Sequence, residues 1–382
     1  MKLMNIGIVC YPTFGGSGVV ATELGKELAK KGHKVHFITY SQPVRLPSFT
    51  ENTFYHEVSV SDYPLFDYQP YELVLSSRLV DVVKNEKLDL LHVHYAIPHA
   101  SAAYMAQQIL ATEGIRLPFI TTLHGTDITL VGRDASFEPV ITFAINKSNA
   151  VTAVSQSLKD DTYKYFHVNR EIEVIPNFIN LEDYKHETLH CQRKSFAPNG
   201  ERIMVHVSNF RKVKRVGDVL RVFDIVRKKM PVKLVLVGDG PERANIEKLC
   251  RELRTCDDII SLGKVQNPSE ILAIADLFVL PSETESFGLA ALEAMASHVP
   301  VISTNTGGLP EVNIDGETGF TSNVGDVEDM AKNAEIILSS DATLQHFREN
   351  AYRRAQQFEM KNILPMYEDL YARVLAEQMQ NA

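Results

Sequence analysis

Short apolar, β-branched runs alternate with segments of helical periodicity along almost the whole chain, and no other feature restricts the fold as much. IGIVCY (6–11), VHFITY (35–40), LDLLHVHY (88–95), FITTLHG (119–125), AVTAVS (150–155) and IEVIPN (172–177) read as strands. Between them lie stretches such as SGVVATELGKELAKKGH, with apolar residues at helical spacing and Gly32 as a stop. Strands separated by helices pair in parallel through right-handed crossovers. The segment LEDYKHETLHCQRKSFAPNGE (181–201) interrupts the pattern with polar residues, Pro198 and Gly200. A second series then follows: IMVHVSN (203–209), KLVLVGD (233–239), IISLGKV (259–265), LFVLPS (277–282) and PVISTN (300–305). The fold class expected is α/β, with two doubly wound parallel-sheet, Rossmann-like domains over residues 1–180 and 181–360. A terminal segment, 361–382, reads as an amphipathic helix packing toward the first domain. Sheets of this kind bind ligands at their strand C-termini, so the tandem predicts two binding edges facing one cleft.

The 382 residues suit two cores better than one. A formal net charge of −9 leaves no basic field for nucleic acid or anionic lipid, and no apolar run approaches a membrane span. No nucleic-acid partner and no stable membrane association are therefore expected. The N-terminal apolar run breaks at Tyr11-Pro12 and reads as a strand, not an export signal. Cys10, Cys191, Cys250 and Cys256 form no C-x-x-C pair, which predicts reduced thiols and a cytoplasmic location.

Four turns carry candidate chemistry. In CYPTFGGSGVVATELG, Gly15, Gly16 and Gly18 stand between a strand and a helix, where backbone amides can approach an anion or the glycines can simply shape a tight turn. VSNFRKVKRV places Arg211, Lys212, Lys214 and Arg215 after a strand of the second domain. Such a run is either a solvated basic turn or, at Arg211 and Lys214, a seat for a diphosphate. Gly238 and Gly240 in GDGPE make a strand-to-helix turn that admits close backbone approach or serves only as a turn. Finally, SETESFGLAALEAMA follows the strand LFVLPS, with a helix expected to begin within Glu285–Leu289. Its first amides would form an anion seat, and the acceptor-only carboxylates of Glu285 and Glu293 suit sugar hydroxyls.

These residues resemble the retaining glycosyltransferases of family four, which have the GT-B fold. Glu285 and Glu293 match the family's E-x7-E signature, and SETESFGLAALEAMASHVPVISTNTGGLPEV agrees with its sugar-nucleotide site over its whole length. The resemblance implies that Glu293 holds the ribose, Glu285 the donor sugar, and Arg211 and Lys214 the diphosphate. Ser286, Phe287, Gly288 and Leu289, with Gly16 and Gly238, would complete the donor contacts. His124 would sit near the sugar's 6-hydroxyl, and Glu285, His124, Arg211 and Lys214 would form the catalytic set. One departure is Asn209, which stands where many members carry their first diphosphate-binding cation, so that Arg211 must supply the charge. CYPTFGGSGVVATELG, HVHYAIPHA, TTLHGTDIT and VSNFRKVKRV further resemble the members of this family that transfer GlcNAc from UDP-GlcNAc to the hydroxyl of L-malate. On that likeness Ser17, Tyr95 and Thr126 are the acceptor-binding candidates, although each is also an ordinary strand-end or helix-start residue.

No D-x-D pair occurs, which fits a family that usually replaces a metal with basic residues and helix ends. Neither a metal nor a cofactor is expected beyond the UDP-GlcNAc donor. The partners implied are small molecules, a UDP-sugar and L-malate, with a homo-oligomer left open. Two rival readings remain. The same donor chemistry can serve a lipid-linked, inositol phosphate or polysaccharide acceptor, and a sugar-nucleotide 2-epimerase shares the architecture.

Overall fold

The structure is a computed structural model that describes residues 2–13, 15–47, 49–60, 69–185 and 190–380. Phe14 of the N-terminal loop and residues 186–189 of the expected boundary segment lie outside these. The chain divides into two compact units, Met1–Asn177 with Lys361–Ala382, and Phe178–Met360.

The first unit holds seven strands: β1 (Asn5–Val9), β2 (Lys34–Thr39), β3 (Thr53–Glu57), β4 (Leu90–His94), β5 (Phe119–Leu123), β6 (Ala150–Ala153) and β7 (Ile172–Val174). They pair in parallel in the order β3-β2-β1-β4-β5-β6-β7. The second unit holds β8 (Arg202–Val207), β9 (Val232–Val237), β10 (Ile259–Gly263), β11 (Leu277–Leu280), β12 (Val301–Thr304) and β13 (Gly319–Ser322), ordered β10-β9-β8-β11-β12-β13. All their pairings are parallel as well. Both sheets are doubly wound, so the strand order reverses between β1 and β4 in one and between β8 and β11 in the other. Helices cover the faces. Val9, Ile38, Val93 and Phe119 pack with Leu75, Leu79, Ala103 and Ala106 in the first unit. Met204, Leu234, Leu277 and Ile302 pack with Val219, Phe223, Ala334 and Ile337 in the second.

Two strands, β3 and β13, have no counterpart in the sequence reading. Both are edge strands, and an edge strand covered on fewer sides needs no continuous apolar run. In β3, all five residues of TFYHE are at least partly open to solvent. The terminal helix Met360–Gln380 belongs to the first unit, where it buries Tyr367 and Tyr371 completely. Tyr371 Oη lies 2.7 Å from His92 Nδ1 on β4, and Lys31 meets Glu368 at 2.5 Å.

One thiol expectation is corrected. Cys250 and Cys256 are joined in a disulfide, because Arg254 in the left-handed conformation ends the helix Arg243–Leu253 and turns the chain until the two Cα atoms are 5.3 Å apart. Spacing alone did not reveal that turn. Cys10 is a buried free thiol, and burial pushes it up to about 12. No described helix is long and apolar enough to cross a membrane.

Candidate active site

In a doubly wound sheet the loops after the two strands flanking the order reversal splay apart, leaving a crevice at their C-terminal ends. The candidate residues of the second unit gather at that point. Arg211 and Lys214 follow β8, and the segment from Glu285 to Glu293 follows β11. Lys214 Nζ donates to Glu285 Oε1, and Ser282 Oγ donates to the same oxygen at 3.0 Å. A cation and a carboxylate from two separate loops are thus held together. Arg211 is exposed and forms no ion pair with a described carboxylate, whereas Arg215 is committed to Asp218 at 2.6 Å and Glu283 at 3.0 Å. Arg215 therefore braces the turn, while the Arg211 guanidinium stays open to solvent.

The helix after β11 begins at Leu289, the last residue of the stretch within which the sequence placed its start. Gly288 adopts φ 98°, and a Cβ there would stand 2.6 Å from Leu309 Cδ2. Glu285 to Phe287 consequently form a loop, and Glu293 lies in the second turn of the helix Leu289–Ala296. Its Oε1 accepts from the Tyr184 hydroxyl at 3.1 Å. The two glutamates are thus directed to different partners. Phe287 is buried with its ring edge-on to Phe358 at 5.6 Å, so its side chain anchors the loop in the core. Ser286 and Leu289 are half-buried beside it.

Gly238 follows β9, the neighbour of β8. Its φ of 132° and an absent Cβ, which would fall 1.8 Å from Ser208 O, let two backbone turns touch. The glycine thus has a structural requirement of its own: it fixes the loop that carries Arg211. His206 on β8 is buried below that loop, bonded to Val279 O at 2.8 Å and Ser208 Oγ at 2.7 Å, and burial lowers it to about 4.

The first unit repeats the arrangement with different chemistry. Gly16 and Ser17 open the helix Gly16–Lys30 after β1, Tyr95 follows β4, and His124 and Thr126 follow β5. The Tyr95 hydroxyl donates to Ser17 Oγ at 2.7 Å, and Thr126 stands beside the same phenol. Three residues spread over 110 positions therefore gather around one phenol. Burial pushes the Tyr95 phenol up to about 12, so it stays a neutral group able to donate and accept.

His124 is buried and its Nε2 lies 2.7 Å from His94 Nδ1. Burial, with His92 and His99 nearby, lowers it to about 3, so the ring is neutral near pH 7. Tyr95 packs against it at 5.2 Å. Asp127 is buried beneath, with Oδ2 accepting from Ala96 N at 2.9 Å and Oδ1 from Gly125 N at 3.2 Å. Burial raises its carboxyl to about 6 against those bonds. Asp127 thereby ties the loop after β4 to the loop after β5.

Sequence reasoning missed Asp127, His94, His206 and Tyr184. The stretch LHGTD contained a usable signal for Asp127, a short carboxylate two residues past a glycine turn at a strand end. Tyr184 lay in the segment read as a polar boundary, and nothing local in the sequence marked it as a partner of Glu293.

Comparison with known proteins extends this geometry. Residues 14–183 match the family described as "Glycosyltransferase Family 4", and residues 190–354 match "Glycosyl transferases group 1". The chain is 46% identical over 379 residues to the N-acetyl-alpha-D-glucosaminyl L-malate synthase of Bacillus anthracis, covering 99% of this chain and 98% of that protein. Among solved structures, HepE of Anabaena in complex with UDP and glucose superposes with a TM-score of 0.80 at 18% identity, covering 97% of this chain and 99% of that one. A sucrose-phosphate synthase of Thermosynechococcus elongatus gives 0.79 at 21% identity, covering 98% and 100%. These two likenesses establish the GT-B type of fold, with a pair of Rossmann-like units.

Proposed function

The chain belongs to the family 4 glycosyltransferases and is a glycosyltransferase, and from that premise we propose that it transfers GlcNAc from UDP-GlcNAc to the hydroxyl of L-malate with retention of the α configuration. The observation that carries this reading is the 46% identity, sustained over 99% of the chain, to a relative whose name contains both sugar and acceptor. On this reading the reaction is the first step of bacillithiol biosynthesis in the cytoplasm.

The roles follow from the chemistry of the groups. Arg211 and Lys214 stabilise the diphosphate as it departs, because charge-assisted bonds strengthen as negative charge develops on the leaving group. Lys214, held by Glu285 in the structure, exchanges part of that contact for phosphate oxygen. Glu285 then accepts from hydroxyls of the hexose and Glu293 from those of the ribose. The amides of Phe287, Gly288 and Leu289, beside Ser286 and with Gly16 and Gly238, complete the donor contacts. His124, neutral and oriented by His94, takes a sugar hydroxyl. Ser17, Tyr95 and Thr126 present hydroxyl donors suited to a carboxylate of the acceptor.

L-malate carries two carboxylates, and a site built to bind both is left with unpaired donors when one is absent. That loss is about 1–3 kcal/mol or more, at least about a tenfold preference. An acceptor screen with UDP-GlcNAc and small hydroxy acids tests it. GlcNAc-malate should form with α stereochemistry, and lactate should be the poorer acceptor by at least about tenfold. Equal use of malate, lactate and water would defeat the acceptor assignment while leaving the family standing. Production of UDP-ManNAc from UDP-GlcNAc alone would point instead to an epimerase.

A further inference from the structure

Strands β2 and β3 pair in parallel with His36 opposite Phe54 and Ile38 opposite His56. His36 and His56 therefore project from the same face of the sheet at diagonal positions. Their Nδ1 and Nε2 atoms lie 2.9 Å apart. The buried His36 ring is fixed by stacking on Phe54 at 4.7 Å and on His56 at 5.2 Å, and its Nε2 has no hydrogen-bond partner. Glu86, the last residue of the helix Tyr71–Glu86, brings a carboxylate oxygen to the same place, and the ligand atoms of the three residues all lie within 4.8 Å of one another. The end of that helix is pinned to β1, because Asn5 Nδ2 donates to Glu86 O at 3.1 Å and to Lys87 O at 3.2 Å.

We propose that His36, His56 and Glu86 form a binding site for one divalent transition-metal ion, zinc by ligand type, at the β3 edge of the seven-stranded sheet. Two neutral imidazoles meeting nitrogen to nitrogen share a single proton between two lone pairs. An ion in the proton's place uses both, and the displaced proton moves to the far nitrogen of the ring that carried it, so each imidazole binds neutral. With zinc–nitrogen bonds of about 2.0–2.1 Å, two nitrogens on a tetrahedral ion stand roughly 3.3 Å apart, which asks these rings to separate by only a few tenths of an ångström. Glu86 supplies the third protein ligand and, being exposed, leaves the fourth position to water. Lys34 acts on His36 and Arg78 on His56 as neighbouring cations. A site with one carboxylate among such neighbours does not hold magnesium or calcium by field strength. It selects an ion that bonds to imidazole nitrogen. None of the three residues belongs to the proposed donor or acceptor set, so the ion's role is to clamp β3 onto β2 and the adjoining helix end.

The test uses the full chain stripped with EDTA and dialysed free of chelator. Zinc is titrated against a chromogenic competitor, and cobalt is followed by its visible d–d absorption. One equivalent should bind and raise the Tm. His56→Gln, on a half-buried residue, and Glu86→Gln, on an exposed one, both checked for folding by circular dichroism, should each weaken zinc by at least about tenfold and abolish the cobalt bands. Glycosyl transfer by the unloaded variants should match that of the unloaded wild type. Failure of the wild type to bind zinc at micromolar concentrations overturns the proposal. So does wild-type affinity in both variants, which would assign the ion to other histidines, or equal binding of magnesium.

Discussion

Single side chains in this protein are most informative where their partners are already chosen. Arg215 and Arg211 stand four positions apart in one basic turn, yet Arg215 is paired with Asp218 and Glu283 while Arg211 is exposed. Replacing both Arg211 and Lys214 with Ala should lower kcat by about two to four orders of magnitude, corresponding to roughly 3–6 kcal/mol, with the fold intact. Steady-state kinetics with circular dichroism as a control checks this. Near-normal turnover would return the turn to the status of a solvated surface. Lys214→Ala by itself also leaves Glu285 without its cation, so the double variant is best compared with one that also carries Glu285→Gln.

At the scale of elements, two features govern stability. Gly238 lets the turn after β9 touch the loop after β8, and alanine there meets Ser208 O at 1.8 Å in a backbone conformation that L residues avoid. Gly238→Ala should therefore destabilise the protein by about 2–4 kcal/mol and weaken UDP binding. Unchanged urea unfolding and unchanged calorimetric affinity would contradict this. The second feature is the line of histidines on and after β4 and β5. His92 and His124 are lowered to about 3 and His99 to about 4, each chiefly by burial, and His94 lies well below its ordinary value for the same reason. These rings are neutral when folded and bind protons near pH 6.5 when unfolded. Over the window from about pH 6.5 down to about 4 the unfolded chain binds more protons, so acid destabilises the fold. Asp127, raised to about 6 by burial, acts oppositely, but it is one group against four. The urea midpoint should fall clearly between about pH 7 and about pH 5.5. A flat profile would mean that the imidazoles are not buried neutral.

For the whole molecule, the chemistry is expected to run without a metal. The chain has no D-x-D pair, and a cationic turn follows β8. Activity in saturating EDTA should stay near its untreated level, measured as UDP release. Loss of turnover on chelation, restored by magnesium or manganese, would show that a metal takes the charge assigned to Arg211 and Lys214. Zinc at the β3 edge is separable in such an experiment, since its removal is expected to change Tm rather than turnover.

The sequence by itself determined the two-sheet architecture, the strands of both sheet centres and the loops that carry the candidate residues. A doubly wound sheet writes itself as period: strands buried on both faces must be continuous apolar runs, and helices that cover them must repeat at their own spacing. The edges β3 and β13 escaped because half-covered strands are free of that requirement. Which partner each site residue takes was decided only in three dimensions. Tyr95 meets Ser17 across 78 positions, Lys214 meets Glu285 across 71 and Tyr184 meets Glu293 across 109. The reversal of strand order makes the first two meetings, Tyr184 reaches Glu293 from the segment before β8, and no local pattern records any of them. The same holds for the Cys250–Cys256 bridge and for His36, His56 and Glu86, whose convergence depends on register and on where a helix stops. Periodicity is a local consequence of burial, whereas a contact between distant loops is a consequence of topology.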